Sequence, residues 1–256
     1  SGKTLEPIMK ALRRQQQFVA DASHEFRTPL ASIKLEAEVL LRSKKTTNEE
    51  HREFLSSTIE EIDRLSNLTN NLLNLAKFDS NEEQQVTKKP TDIISITNKV
   101  QKKLNKQMKL KKISYKLEKD KDKLFVDADP LEVEELITIL FDNAIKYNKD
   151  KGSINVNIKG SKDIIFFSIS DKGVGIDKEN IHKIFDRFFR ESADRGQKGF
   201  GLGLSIAKMI CDKNNIDIEV ESKKDKGTKF ILRFKTADTQ QNNRLQVTKF
   251  NNKLQN

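Results

Sequence analysis

Phe18-Val19-Ala20-Asp21-Ala22-Ser23-His24-Glu25-Phe26-Arg27-Thr28-Pro29-Leu30 keeps helical spacing, yet it holds a proline and sets an imidazole, a carboxylate and a hydroxyl within five residues. Proline inside a helix removes a backbone donor and crowds the carbonyl four residues back, here that of Glu25. A bend is therefore expected beside His24. Thr28 follows His24 by four positions, so the two side chains share a face. Taken alone, the stretch is equally a kinked core helix with a solvent-facing histidine. Its flanks decide.

Working outward, apolar residues recur at helical intervals from Leu5 to Leu41, including Met9, Leu12, Val19, Phe26, Ile33 and Leu40. They predict a long amphipathic helix that opens near Pro7 and changes direction at Pro29. Ser43 to Asn48 is polar, and Thr47-Asn48-Glu49-Glu50 offers a capping side chain followed by acids suited to a helix start. A second stripe follows through Ile59, Ile62, Leu65, Leu72 and Leu75 and fades at Phe78 to Asn81. Two long helices with a short turn make an antiparallel hairpin. One hairpin hides only the facing part of each stripe, so a homodimeric four-helix bundle about a two-fold axis is expected. Contact with another part of the same chain is the alternative.

The chain has 256 residues, room for one large domain or two modest ones. Charged residues make up 34% and tryptophan is absent, so the core must be aliphatic and Phe-based. The net charge is +10, but lysines are scattered and no basic stripe is interleaved with aromatics, which fits a lysine-rich proteome or a surface suited to acidic partners rather than nucleic acid. A single cysteine, Cys211, excludes an intrachain disulfide and a CxxC-type zinc site, and fits a reducing, cytoplasmic setting. His24, His51 and His182 lack metal-ligand spacing. No apolar run reaches the roughly 20 residues of a membrane span, and no signal peptide is visible. Ser1-Gly2 has the look of an expression scar, so a fragment of something longer is expected.

After a polar stretch from Asn81 to Pro90, expected to be a linker, the pattern changes. Helical spacing from Ile93 to Leu110, strand alternation at Ile113 to Leu117, a short run at Leu124 to Val126 and a helix from Leu131 to Tyr147 follow. Strands are predicted at Ile154–Ile158, Ile164–Ser170, Ile216–Val220 and Thr228–Phe234, with a helix from Leu202 to Asn214 between the pairs. This order suggests an α/β sandwich, a mixed sheet with helices on one face. The domains expected are 1–80, 91–236 and, beyond them, a frayed polar tail at 237–256.

Three further stretches carry chemistry. Asp171-Lys172-Gly173-Val174-Gly175-Ile176-Asp177 closes a strand; its glycines let the backbone approach a flat or anionic ligand, and its aspartate can accept from an exocyclic amine. An ordinary turn would look the same. Gly199-Phe200-Gly201-Leu202-Gly203 opens into a helix, where backbone donors cradle phosphate. It lacks both the P-loop ending and the dinucleotide spacing. The polar segment Glu191 to Lys198 upstream is long enough for a lid. On the helix Leu131 to Tyr147, Asn143 and Lys146 are neighbours; an amide oxygen can ligate magnesium and an ammonium can hold phosphate.

In this order and together, these stretches resemble the catalytic portion of a two-component sensor histidine kinase. Ser23 to Leu30 resembles the phosphoacceptor box, Asp142-Asn143-Ala144-Ile145-Lys146-Tyr147 the asparagine box, and Asp171 to Gly175 the first glycine box. Ile184-Phe185-Asp186-Arg187-Phe188-Phe189-Arg190 resembles the phenylalanine box and Gly199 to Gly203 the second glycine box. The resemblance spans Leu12 to Phe234. It implies a helical-hairpin, four-helix-bundle dimerisation domain followed by an α/β sandwich of the Bergerat type that binds ATP and Mg2+.

The roles it implies are these. His24 attacks the γ-phosphate of ATP while Glu25 orients or deprotonates the other ring nitrogen; a neutral imidazole needs little further activation. Asn143 ligates magnesium, Asp171 meets the adenine amine, and Gly173, Gly175, Gly199, Gly201, Leu202 and Gly203 shape the nucleotide site. Lys146, Tyr147 and Arg190 contact ATP. The phosphoryl then passes to an aspartate on the receiver domain of a response regulator, and Glu25 with Thr28 supports its removal from that regulator. A membrane-anchored parent is implied. Ile139 stands where the family usually has a second asparagine, so either metal affinity is lower or the missing contact falls to water. Phe26 and Phe200 are milder departures. An ATPase or clamp sharing the nucleotide fold, and a scaffold that binds a regulator without transferring phosphate, are the rival readings.

Overall fold

The computed structural model describes residues 2–42, 47–79, 87–191 and 199–237. The Ser43–Asn48 turn, the linker, the Glu191–Lys198 lid and the tail expected from sequence lie largely outside these residues. The chain divides into two compact units, Ser1–Glu82 with Lys198–Leu202, and Glu83–Gln197 with Gly203–Asn256.

The first unit is a helical hairpin of α1 (Gly2–Arg42) and α2 (Asn48–Asp79). The start of α2 is fixed locally. Glu50 donates its backbone N–H to Thr47 Oγ1 at 3.2 Å, and Thr47 returns its own to the Glu50 carboxylate at 2.6 Å, a reciprocal capping box. The two helices are tied by Ser57, whose hydroxyl donates to Glu36 at 2.9 Å. Helical geometry in α1 runs through both Pro7 and Pro29, so the helix opens at Gly2 rather than near Pro7, and Pro29 is buried. Along the hairpin Val19, Leu30, Leu35, Val39, Leu55 and Ile59 stay more than half exposed.

The second unit holds β1 (Lys89–Asp92), α3 (Ile93–Leu110), β2 (Ser114–Lys119), β3 (Phe125–Ala128), α4 (Pro130–Lys146), β4 (Ser153–Gly160), β5 (Ile164–Asp171), α5 (Gly203–Asn214), β6 (Asp217–Lys223) and β7 (Gly227–Lys235). Five strands form a mixed sheet in the order β2-β4-β5-β7-β6, parallel only between β2 and β4. Strand register lines up Val156, Ile169, Phe230 and Val220 in one cross-strand row, and Ile158, Phe167, Leu232 and Ile218 in the next. The inner members of these rows are buried, together with Leu136, Leu140 and Phe141 of α4 and Ile206 and Ile210 of α5. Alternate positions carry polar partners instead, such as the two-bonded Arg233–Glu219 pair at 2.7 and 2.8 Å. One face is therefore core and the other is polar, as the period of two requires.

Two aspartates punctuate the helices. Asp92 caps α3 by accepting from Ile94 N, and Asp129 caps α4 by accepting from Leu131 and Glu132 N, with Pro130 in the first turn where its missing donor costs nothing. A short strand, β1, occupies the end of the stretch expected to be linker and pairs antiparallel with β3. Pro90 is compatible with that place because β1 has a single neighbour, leaving one edge that needs no donor.

Candidate active site

The end of β5 and the end of α4 meet over the first glycine run. Tyr147, the C-cap of α4, accepts the backbone N–H of Val174 at 3.1 Å. A Cβ on Gly173 would stand 2.1 Å from the Tyr147 carbonyl oxygen, so only glycine permits this approach. Gly175 follows at φ 67, with Lys223 O equally close to any added Cβ.

Asp171 is held from two sides. Its Oδ1 accepts the N–H of Gly173 at 2.8 Å and of Thr228 at 3.2 Å. Burial pushes the carboxyl above the usual carboxylate range, and the two backbone donors partly offset this. Beside it, the Ser222 hydroxyl accepts from Ile176 N at 2.9 Å, contacts Gly227 O at 3.0 Å and meets Thr228 Oγ1 at 2.9 Å. With its one hydrogen on the Gly227 carbonyl, Ser222 takes the hydrogen of Thr228, leaving the Thr228 oxygen as an acceptor.

Asn143, Tyr147, Asp171, Gly175, Arg190 and Thr228 line one pocket of this unit, whose remaining walls include Ile176, Ile184, Phe189, Glu191, Leu204 and Phe230. Apolar walls with a carboxylate suit a flat, amine-bearing heterocycle. Lys146 donates to the Tyr147 hydroxyl at 3.2 Å and lies 4.8 Å from its ring centroid, beside the wall. Gly203 opens α5, and a Cβ there would lie 3.5 Å from Ile139 Cγ2. The apolar residue in the asparagine position thus sits close to the helix N-terminus.

Asn143 is the candidate magnesium ligand, and no cluster of three or more His, Cys, Asp or Glu able to hold a metal occurs among the described residues. A single amide oxygen fits an ion carried mainly by water and phosphate oxygens, not one caged by protein. Gly199 (φ 144), Gly201 (φ 71) and the buried Leu202 group with the helical unit, so of the second glycine run only Gly203 belongs to the unit that holds the pocket.

His24, Glu25 and Thr28 lie on α1 in the helical unit. His24 is exposed and Glu25 half-buried. Thr28 donates its hydroxyl hydrogen to the His24 carbonyl at 3.3 Å, the back-bond common to helical threonines, which leaves its oxygen free to accept only.

Two polar site residues escaped the sequence reading, besides apolar wall residues such as Leu204 and Phe230. Thr228 follows a glycine at a strand start, a pattern shared with any β-favouring threonine. Glu191 was legible only as part of a polar lid, whereas its Oε1 accepts from Asp177 N at 3.1 Å and Asn180 Nδ2 at 2.8 Å.

Comparison with known proteins agrees with this division. Residues 14–81 match the His Kinase A (phospho-acceptor) domain, and residues 128–238 match the histidine kinase-, DNA gyrase B- and HSP90-like ATPase. The sensor protein CiaH of Streptococcus pneumoniae is 36% identical over 90% of this chain and 51% of its own length. The sensor histidine kinase YkoH of Bacillus subtilis is 37% identical over 86% and 48%. Among solved structures, histidine kinase ThkA in complex with response regulator TrrA aligns with a TM-score of 0.70 at 22% identity, over 90% of this chain and 64% of that one. Acinetobacter baumannii AdeS aligns at 0.69 with 20% identity, over 84% and 98%. These two likenesses concern the fold.

The chain thus carries a phosphoacceptor helical hairpin together with an ATPase domain of the histidine kinase-, DNA gyrase B- and HSP90-like type. The chain belongs to the sensor histidine kinase family, and it spans about half the length of the curated relatives it matches.

Proposed function

We propose that this chain autophosphorylates His24 from magnesium-ATP and passes the phosphoryl to an aspartate on the receiver domain of a response regulator. The observation that carries the reading is the pocket around Asp171, with Asn143 and Tyr147 on its wall, in a chain whose α1 exposes His24 next to Glu25. Adenine enters the slot between Ile184, Phe189 and Phe230, and its amine meets Asp171. The phosphate tail runs toward Asn143, Lys146 and the N-terminus of α5, where backbone donors and the helix dipole favour anions. Magnesium on Asn143 would neutralise phosphate charge as it develops.

In the transfer itself, a ring nitrogen of His24 attacks the γ-phosphorus. The bond from that phosphorus to the β,γ-bridging oxygen breaks, and ADP leaves with the electron pair. The proton on the other ring nitrogen goes to Glu25 or to solvent. Such chemistry needs positioning and charge stabilisation more than covalent help. A regulator carboxylate then displaces His24 from phosphorus. For the reverse role, Thr28 can accept a hydrogen from water, with its own hydrogen held by the His24 carbonyl.

The apolar side chains left exposed along α1 and α2 support a homodimer through the hairpin, because one hairpin alone leaves them in water. Residues 1–80 would form that domain, 81–90 a linker and 91–236 the ATP-binding domain, in a membrane-anchored parent with its kinase portion in the cytoplasm. Ile139 favours one rival, a binding scaffold without transfer, since it cannot ligate metal. Incubation with γ-labelled ATP and magnesium separates them. Acid-labile, base-stable label that vanishes in His24→Gln supports the kinase. ATP turnover without label favours the clamp ATPase, and neither activity favours the scaffold.

A further inference from the structure

Residues 93–112 contain seven lysines and no acidic residue, so this one segment accounts for seven of the chain's ten net positive charges. The folded helix sorts what looked scattered in sequence. Ile93, Ile94, Thr97, Val100, Leu104 and Met108 of α3 are buried and define its core side. Lys99, Lys102, Lys103, Lys106 and Lys109 recur at intervals of three and four on the opposite side, and all five are exposed. Lys99 is held by Glu134 at 2.7 Å. Lys102, Lys103, Lys106 and Lys109 have no ion pair among the described residues, and they border one open groove with Leu110, itself 76% exposed.

A lysine-rich surface often does nothing beyond keeping a protein soluble. Several lysines elsewhere are matched with acids, as in Lys208–Asp212, Lys213–Glu132 and Lys229–Glu221. Others, such as Lys121 and Lys162, stand singly without an ion pair among the described residues. The helix α3 differs in gathering its unmatched lysines on one face. The stripe on α3 lacks such matching for four consecutive members. Its chemistry also narrows the partner. Protein interfaces are anchored by Trp, Tyr and Arg and are depleted in Lys. Single-stranded nucleic acid needs aromatic platforms, and the stripe has none. Hydrated ammonium groups on flexible stems, with one exposed leucine among them, suit a fluid layer of phosphodiester headgroups. From Lys99 to Lys109 the stripe offers them a line about 15 Å long.

We propose that this face of α3 docks on a bilayer surface rich in anionic lipid, holding the nucleotide-binding unit against it. The claim is independent of the phosphotransfer reading, because it uses none of the pocket or His24.

The test is co-sedimentation of the whole chain with vesicles of phosphatidylcholine alone or mixed with phosphatidylglycerol, at about 0.05 M and about 0.5 M salt, where screening differs severalfold. Binding is expected only to the phosphatidylglycerol vesicles and only at low salt. The Lys102→Gln/Lys103→Gln/Lys106→Gln/Lys109→Gln variant should bind roughly a thousandfold more weakly, with its thermal melt and ATP affinity unchanged because these side chains touch neither core nor pocket. Equal binding to both vesicles, no binding to either, or equal binding by the variant would overturn the proposal. So would release from the vesicles by duplex DNA or polyglutamate at far lower charge concentration, which would assign the stripe to nucleic acid or to an acidic protein.

Discussion

Asp171 Oδ1 accepts the backbone N–H of Thr228 from the neighbouring strand at 3.2 Å and that of Gly173 at 2.8 Å, so the carboxylate is oriented before any ligand arrives. Asp171→Asn keeps the shape but turns an acceptor toward the adenine amine into a donor. Loss of a charge-assisted hydrogen bond is worth about 1.5–3 kcal/mol, so ATP affinity should fall roughly tenfold to hundredfold in equilibrium binding. The melting temperature should change little.

The same carboxyl sets a pH dependence. Burial raises it, so it takes up a proton at higher pH than an exposed aspartate. ATP affinity should therefore drop on acidification earlier than an ordinary carboxylate would dictate, and Asp171→Asn should flatten the curve at its low level. Stability of the ligand-free chain moves the other way. Between the ordinary and the raised value the folded state holds a proton that the unfolded state has lost, so this group withdraws stability as pH rises through that window. Titration calorimetry and thermal melts across pH check both signs.

Gly173→Ala forces a Cβ against the Tyr147 carbonyl, which is backbone and cannot rotate away. Overpacking of this kind costs about 1–3 kcal/mol. A melting temperature lowered by several degrees and a loss of nucleotide binding larger than the stability loss are expected.

Glu191 joins Asp177 and Asn180 to the segment that carries Phe189 and Arg190. Its function here is positioning, and one oxygen receives both bonds. Glu191→Gln retains an equivalent carbonyl oxygen and should preserve the KM for ATP, whereas Glu191→Ala should raise it severalfold with kcat less affected. Equal damage in both variants would mean that the charge, not the bond geometry, matters.

In the hairpin, Thr47→Ala removes one half of the capping box and should cost about 1 kcal/mol. The Thr47 backbone N–H, and less strongly its hydroxyl, holds the Glu50 carboxyl below its ordinary value. The variant keeps the backbone donor and loses the hydroxyl, so the depression should shrink without disappearing when followed by NMR titration.

Much of this was legible before folding, and the reasons are local. The bounds of α3 follow from an unbroken apolar rhythm between Ile93 and Leu110. The capping acids around Thr47 announced α2. The strands ran longer than their apolar runs because polar ends such as Lys119 and Lys223 continue the ladder. What stayed hidden depends on partners distant in sequence. β1 has four residues and a proline, and is a strand only because β3 pairs with it. Thr228 faces Asp171 through a register that no single segment encodes. The lysines of α3 become a stripe only once the helix turns them to one side.

On the proposed function His24, and no other histidine, carries the phosphoryl. His51 sits with its Nδ1 2.9 Å from the Thr47 carbonyl at the start of α2, and His182 lies beyond β5 in the pocket-bearing unit. Fragmentation mass spectrometry under neutral conditions, after incubation with ATP and magnesium, locates the group directly. Phosphate on the imidazole of His24 alone is the predicted result. Phosphate on His51 or His182, or a chain that turns over ATP with all three histidines unmodified, would contradict the account.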